Sequence, residues 1–392
     1  MDQPARFSIL PEATWPRLRA LLDVHAPGGP SINMSIGEPQ HDFPSFIKDI
    51  ITENLGDFRR YPNNVGTPEL LDAIQGWLAK RYRATVTPEN ILTLNGTREG
   101  LFNAALALAP EYKNGKQPVV LAPNPFYPAY SAAAAAVGAE AVFVPASAET
   151  GHLPDYAALP DDILDRTTIV YACSPANPQG AMADQVYWER LIQLAEKHDF
   201  YIFADECYSE IYRAAAPVGA LEVAQDIGCD LERVMIFHSL SKRSNLAGLR
   251  SGFCAGGVKS IARMRQLRAY AGTPLPLPVQ AASVAAWQDE QHVIENRALY
   301  QAKYAVADDV FANLPGYLSP QAGFFLWLPV EDGETAARKI WIETGVRTLP
   351  GAYLARDYEG KNPAKGFLRV AMVAPKEDVA EGLQKIRHCI YG

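Results

Sequence analysis

The sequence predicts an α/β protein, with a large domain built on a mostly parallel sheet carrying helices on both faces and a smaller α+β domain beside it. Three observations predict it. Short apolar runs alternate with helical patterns from about Ser45 to Trp287, as strands and crossover helices do in a parallel sheet. Those runs are apolar almost without interruption, which suits strands covered on both faces. The 392 residues, 48% of them hydrophobic, supply an ample core and exceed the roughly 100 to 200 residues of one ordinary domain.

Residues 1–44 are rich in Pro and Gly, as in Ala26-Pro-Gly-Gly-Pro30 and Gly37-Glu-Pro39, and read as a short helix followed by an extended arm. The large domain is expected over residues 45–287. Its strands are expected at Ile91 to Leu94, Pro118 to Ala122, Ala141 to Val144, Thr168 to Ala172, Tyr201 to Ala204, Val234 to Phe237 and Ser251 to Ala255. Residues 288–392, joined by the arm, form the small domain. It contains a long helix at Val293 to Leu314, the strand Phe324-Phe-Leu-Trp-Leu328, a helix near Glu334 to Thr344, the strand Phe367 to Val373 and a terminal helix.

Composition excludes several classes of function. With 36 Lys and Arg against 44 Asp and Glu, a net charge of −8 and no dense basic tract, the chain lacks the positive field that nucleic acid or an anionic membrane requires. Any anion it binds must be held locally. Five widely spaced cysteines without a C-x-x-C pattern indicate neither a disulfide framework nor a zinc ribbon, and suit a reducing cytoplasm. There is no apolar run of about 18 residues, and the start of the chain has prolines and acidic residues where a signal peptide needs an apolar stretch. The seven histidines make no H-x-x-x-H or H-E-x-x-H pattern, so no metal site is expected. No G-x-S-x-G elbow is present.

Polar clusters follow several strands at once: Asn95-Gly-Thr-Arg98, Pro123-Asn-Pro-Phe-Tyr127, Cys173-Ser-Pro-Ala-Asn-Pro178, Asp205-Glu-Cys-Tyr208 and His238-Ser-Leu-Ser-Lys242. Ligands of open α/β sheets bind outside the carboxyl ends of the strands, so these clusters are expected to converge. Asn95-Gly96-Thr97 precedes a good helix, and reads either as a phosphate-binding helix start or as a turn with an N-cap. Asp205 closes an apolar run, where its carboxylate needs a cation or a donor; it is either a cap or the partner of a protonated ring nitrogen. Lys242 is either a surface lysine or a buried amine suited to Schiff-base chemistry. Arg250 and Arg369 lie in glycine-rich or apolar surroundings and are either anion clamps or halves of buried ion pairs.

Read together and in order, Ser35-Ile-Gly-Glu-Pro39, Tyr61-Pro-Asn-Asn-Val-Gly66, Asn95-Gly-Thr97, Asn177-Pro178, Asp205-Glu-Cys-Tyr208, Ser239-Leu-Ser-Lys242, Gly248-x-Arg250-x-Gly252-Phe253 and Arg369 resemble the fold type I pyridoxal 5′-phosphate (PLP) enzymes, class I/II aminotransferases. The resemblance covers nearly the whole chain. It implies the PLP-dependent transferase fold and ping-pong amino transfer. It makes Lys242 the Schiff-base lysine and Asp205 the partner of the pyridine nitrogen. Asn177 and Tyr208 are then expected at the ring's phenolic oxygen, and Tyr127, or in second place Phe126, stacked on the ring. Gly96, Thr97 and Arg98 at the helix start, with Ser239 and Arg250, are expected to hold the phosphate, and Tyr61 to reach it from the neighbouring subunit of a homodimer. Arg369, assisted by Asn177 and the Gly37 backbone, is expected to clamp the substrate carboxylate. Gln179 departs from the family, which has Thr there.

Ser35-Ile-Gly-Glu-Pro-Gln-His41, Glu206-Cys-Tyr-Ser-Glu-Ile-Tyr212 and Ser239-Leu-Ser-Lys-Arg-Ser-Asn245 most resemble the N-succinyldiaminopimelate aminotransferases of bacterial lysine synthesis. Their acceptor's distal acidic group needs a cation, for which Arg59, Arg60, Arg98 and Arg243 are candidates. Aminotransferases acting on aspartate, alanine or aromatic amino acids, and PLP-dependent C–S β-lyases, share the same motifs. A non-catalytic regulator on this fold is disfavoured, because only about 44 residues without a basic recognition helix precede the core.

Overall fold

The computed structural model describes Phe7, Leu10 and residues 12–392, so parts of the arm expected over residues 1–44 lie outside the described residues. Twelve strands run in chain order as β1 (Ile32–Asn33), β2 (Ile91–Leu94), β3 (Val119–Asn124), β4 (Glu140–Pro145), β5 (Thr167–Cys173), β6 (Tyr201–Asp205), β7 (Val234–Ser239), β8 (Gly252–Gly256), β9 (Phe325–Pro329), β10 (Val346–Arg347), β11 (Leu349–Pro350) and β12 (Phe367–Ala371).

The central sheet has the order β2-β8-β7-β6-β5-β3-β4. All its neighbours are parallel except β8, which runs antiparallel to β2 and β7. Alternate residues of each strand feed different cores. Ile202, Ala204, Val234 and Ile236 pack with Leu78, Trp188 and Trp287 of the helices Pro68–Tyr82, Gln185–His198 and Leu277–Gln288. Phe203, Met235 and Phe237 pack on the other face with Leu101, Ala133 and Met264 of the helices Thr97–Leu108, Pro128–Ala136 and Val258–Ala271. Burial on both faces is why the period-two signal is absent and the runs read as continuously apolar.

The strands extend beyond the apolar runs. β6 was expected to stop at Ala204 and β7 at Phe237, yet the ladder carries Asp205 opposite Cys173 and Phe237, and Ser239 opposite Gly252. Backbone pairing does not require an apolar side chain, so two polar groups sit on fixed strand ends.

In the C-terminal part, β11, β12 and β9 form an antiparallel sheet in which Arg369 stands opposite both Leu349 and Trp327. Short β1 pairs parallel with β10, tying the N-terminal arm to this region. These two-residue strands carry no periodic signal, and the sequence reading did not include them. The helix expected over Val293 to Leu314 spans Gln291–Val310; Asn313 turns left-handed at φ 62° and Pro315 prevents continuation. β12 was expected to reach Val373 and ends at Ala371, whose N–H goes to the Met34 carbonyl; the Met372 N–H still bonds the Phe324 carbonyl in the same register. Among the described residues, no helix is long and apolar enough to cross a membrane and no cluster of His, Cys, Asp and Glu could hold a metal.

Candidate active site

Asp205, the last residue of β6, is 7% exposed. The Tyr130 hydroxyl donates to its Oδ2 at 2.8 Å and the Cys207 N–H lies 3.4 Å from Oδ1. It therefore does not cap a helix. It also has no ion-pair partner among the described residues, unlike buried Glu206, which meets His238, and buried Glu210, which meets Arg81 and Arg297. Burial raises its carboxyl above the ordinary range, partly offset by the Cys207 and Tyr130 hydrogen bonds. A cation is the group this site lacks.

Lys242 follows β7 on the short helix Leu240–Arg243, which Ser239 caps by accepting from the Ser241 N–H at 3.0 Å. The residue is half-buried and its amine is turned inward. It donates to the Gly37 carbonyl at 2.6 Å and lies 5.2 Å from the centre of the Phe324 ring. Burial lowers its pKa to about 8, with the nearby charges of Arg369 and Arg250 adding to the shift and Cys207 and Glu38 opposing it. An amine so placed gives up its proton more readily than an ordinary lysine, as a nucleophile or proton carrier needs.

Arg369, on the middle strand of the small sheet, is 6% exposed. Its guanidinium lies 4.3 Å from the Phe325 ring centre, donates to the Ser35 carbonyl at 2.9 Å and reaches Asn177 Oδ1 at 3.4 Å. No carboxylate pairs with it among the described residues, so the ion-pair alternative does not hold. Burial pulls its pKa down to about 10, which marks a cation in need of an anion. Arg369 donates to the Ser35 carbonyl, while the carbonyl of Gly37, the residue expected to assist at the substrate carboxylate, accepts from Lys242. One extended segment, residues 35–37, thus receives both cations two residues apart. Gly37 is required there because a Cβ would run into the Phe325 ring.

A third group gathers polar donors. Gly96 has φ +82° and heads the helix Thr97–Leu108, and a Cβ on it would collide with the Arg250 guanidinium. Arg250 is itself left-handed at φ +57°, is exposed, and donates to the carbonyls of Ala247 at 2.9 Å and Asn95 at 3.4 Å rather than to any carboxylate. Thr97 Oγ1 lies 3.0 Å from Cys207 Sγ, which joins this group to the Asp205 turn. Ser239 Oγ meets Ser241 Oγ at 2.9 Å and the Ser251 carbonyl at 3.2 Å. Free helix N–H groups, hydroxyls and a guanidinium together suit a phosphate.

Arg98 donates from Nε to the Tyr127 hydroxyl at 2.6 Å. Tyr127 is half-buried, whereas Phe126 packs into the core against Phe143 at 4.4 Å, which removes Phe126 as a ring-stacking residue. Tyr208 is buried edge-on to Phe324 and Phe325. Tyr61 is fully exposed and the structure brings it to no part of this site. Of the four arginines considered for a distal acid, Arg243 is excluded: it is buried, ion-paired to Glu290 at 2.5 Å and bonded to the Ala286 carbonyl. Arg60 pairs with Asp57, and Arg59 is exposed nearby. Gln179, at the departure from the family pattern, spans to the Ala146 carbonyl at 3.3 Å.

The residues fit a pyridoxal phosphate. Asp205 lacks a cation that a protonated ring nitrogen supplies, and the missing Cβ of Gly96 lets the Arg250 guanidinium close against the helix start, where a phosphate would meet both. Sequence reading missed Tyr130, Ser241, Cys207 and Phe324. Tyr130 had a usable signal, being one helical turn after Tyr127, and Cys207 lay within the Asp205-Glu-Cys-Tyr208 cluster; Phe324 had none, since it read as part of an apolar strand.

A family model described as Aminotransferase class I and II matches residues 30–386. An LL-diaminopimelate aminotransferase from Dehalococcoides mccartyi is 30% identical over 94% of this chain and 93% of its own, and one from Moorella thermoacetica is 27% identical over 100% and 99%. Among solved structures, an aminotransferase from Neisseria meningitidis superposes with a TM-score of 0.93 at 36% identity, covering 98% of this chain and 99% of that one. A probable N-succinyldiaminopimelate aminotransferase from Thermus thermophilus superposes with a TM-score of 0.85 at 25% identity over 96% and 100%.

Proposed function

Because the chain belongs to the class I and II aminotransferases, we propose that it exchanges an amino group between glutamate and an amino acid of the diaminopimelate type, with a carboxylate at one end and a second acidic group at the other. The observation that carries this substrate reading is Arg98. Its guanidinium is exposed, has no acidic partner among the described residues and is held by the Tyr127 hydroxyl at 2.6 Å. Relatives named for LL-diaminopimelate and N-succinyldiaminopimelate support the same class of substrate.

When bound, pyridoxal phosphate supplies an electron sink for the carbanion left when the substrate Cα loses its proton. Asp205 provides the charge that keeps the ring nitrogen protonated. Gly96, Thr97, Ser239 and Arg250 hold the phosphate, joined by the partner subunit's Tyr61 in a homodimer. Asn177 and Tyr208 serve the phenolic oxygen, and Tyr127 the ring face. Arg369 grips the substrate α-carboxylate and so fixes which Cα bond is broken. Lys242 takes the Cα proton and returns it, a task suited to an amine of pKa about 8.

The test is a panel of amino donors mixed with the holoenzyme, following conversion of the bound cofactor to its amine form. Conversion by glutamate and by diaminopimelate, free or N-succinylated, is expected. Conversion by aspartate, alanine or phenylalanine alone would overturn the substrate reading. Pyruvate and ammonia released with no keto acid present would make the enzyme a lyase.

A further inference from the structure

Lys303 is a buried lysine that the proposed chemistry does not use. It is 1% exposed, has no carboxylate within ion-pair distance among the described residues, and its amine has two polar neighbours: His41 Nε2 at 2.7 Å and the Val373 carbonyl at 3.3 Å. His41 Nδ1 is 3.0 Å from Asn296 Oδ1, and Asn296 Nδ2 reaches the Lys242 carbonyl at 3.5 Å. Asn245, three residues past Lys242, donates to the same Asn296 Oδ1 at 3.0 Å and to the Asp42 carbonyl at 3.2 Å.

The two ends of this chain set its direction. An ammonium can only donate and a carbonyl can only accept. The Lys303 end therefore makes His41 Nε2 an acceptor, which places the neutral imidazole's proton on Nδ1, facing Asn296 Oδ1. The Lys242 end requires the Asn296 amide nitrogen to face that carbonyl. All three donors then point the same way, and the side-chain polar atoms of Lys303, His41 and Asn296 are all partnered.

The chain begins on the helix Gln291–Val310 and joins two segments, the Gly37–Asp42 loop and the Lys242–Asn245 turn. The loop's Gly37 carbonyl is the acceptor for the Lys242 amine. We infer that Lys303, His41 and Asn296 are positioning residues for Lys242, holding its backbone and the Gly37 carbonyl in register so that the amine keeps its direction. This rests on the reading of Lys242 as the cofactor's lysine.

Several charged groups bear on this register. His41 faces Lys303, Asn296, the Tyr300 ring at 4.7 Å and the charge of Asp42; Lys303 also feels Glu377. Lys242 faces Glu38, Cys207, Arg369 and Arg250. Burial and Lys303 both hold His41 below its ordinary pKa, which keeps the imidazole in the neutral form the chain needs.

The test reconstitutes wild type, Lys303→Met, Asn296→Ala and His41→Gln with pyridoxal phosphate. For each, the pH midpoint of the lysine-bound cofactor's visible band, kcat and KM for glutamate, and the melting temperature of the apoprotein are measured. Lys303→Met and Asn296→Ala are expected to move the midpoint by about half a unit or more. They should also lower kcat about fivefold or more at nearly constant KM. His41→Gln, whose amide can accept from Lys303 and donate to Asn296, is expected to stay near wild type. An unchanged midpoint and kcat in both breaking variants would overturn the inference. So would failure of both to fold, or a change confined to melting temperature, since the chain would then be purely structural. A wild type without a titrating band contradicts the cofactor reading itself, and this inference with it.

Discussion

The Tyr130 hydroxyl donates to Asp205 Oδ2 at 2.8 Å, and Tyr130 in turn stacks on Tyr171 at 4.4 Å with ring planes 12° apart. The carboxylate proposed as the partner of the cofactor's ring nitrogen is thus held by a phenol locked into the sheet's own core. Hydrogen bonds to charged groups contribute about 1.5 to 3 kcal/mol. Tyr130→Phe is therefore expected to fold normally and to lower kcat/KM for glutamate about tenfold. Steady-state kinetics check this, and an unaltered kcat/KM would remove Tyr130 from the account.

Lys242 makes a pH-dependent contribution to stability. Burial lowers its pKa from 10.5 to about 8, so the folded apoprotein binds that proton less tightly than the unfolded chain. The resulting penalty is fully present below about 8 and fades as pH rises towards 10.5. Lys242→Met apoprotein should accordingly unfold at higher denaturant than wild type near neutrality, with the gap closing across that window. A gap that stays constant through the window would contradict the burial of the amine.

Arg369 offers a planar fork to a carboxylate, with its stem and face fixed by Phe325, Ser35 and Asn177. Lysine keeps the charge but not the fork. Arg369→Lys should raise KM for every amino donor about tenfold or more while the visible spectrum of bound cofactor stays in place. Isothermal titration of a dicarboxylic substrate analogue and absorbance on the same sample separate the two effects.

Arg98 predicts selectivity rather than rate. Arg98→Gln should lower kcat/KM for diaminopimelate-type substrates about tenfold, which is about 1.4 kcal/mol of transition-state binding. Alanine-like donors with no distal acid should change little. Equal losses on both kinds of donor would assign Arg98 to the cofactor instead.

The parallel sheet was legible because its inner strands are buried on both faces, which leaves unbroken apolar runs; edge strand β4 is only partly buried. The polar clusters after those runs were legible for a related reason: a carboxylate or lysine next to such a run has nowhere to go but the crevice at the strand ends. What the sequence could not give was partnership. Arg369 donates to the Ser35 carbonyl, a main-chain acceptor that carries no residue-type signal. Arg243 looked available for a substrate and is consumed by Glu290, a contact 47 residues away in sequence. Phe324 read as ordinary aromatic core, and only the packed structure sets it against Lys242; Tyr130 was signalled by its place one helical turn after Tyr127, but not its bond to Asp205.

The central claim is that the Lys242 amine both carries the cofactor and moves the Cα proton. The most direct measurement compares wild type and Lys242→Ala, each reconstituted with pyridoxal phosphate, for visible absorbance and for single-turnover amino transfer from glutamate. Lys242→Ala should remain folded by circular dichroism, lose the lysine-bound band and lose transfer by at least about a thousandfold. A folded Lys242→Ala protein that keeps the band and turns over normally would contradict the account.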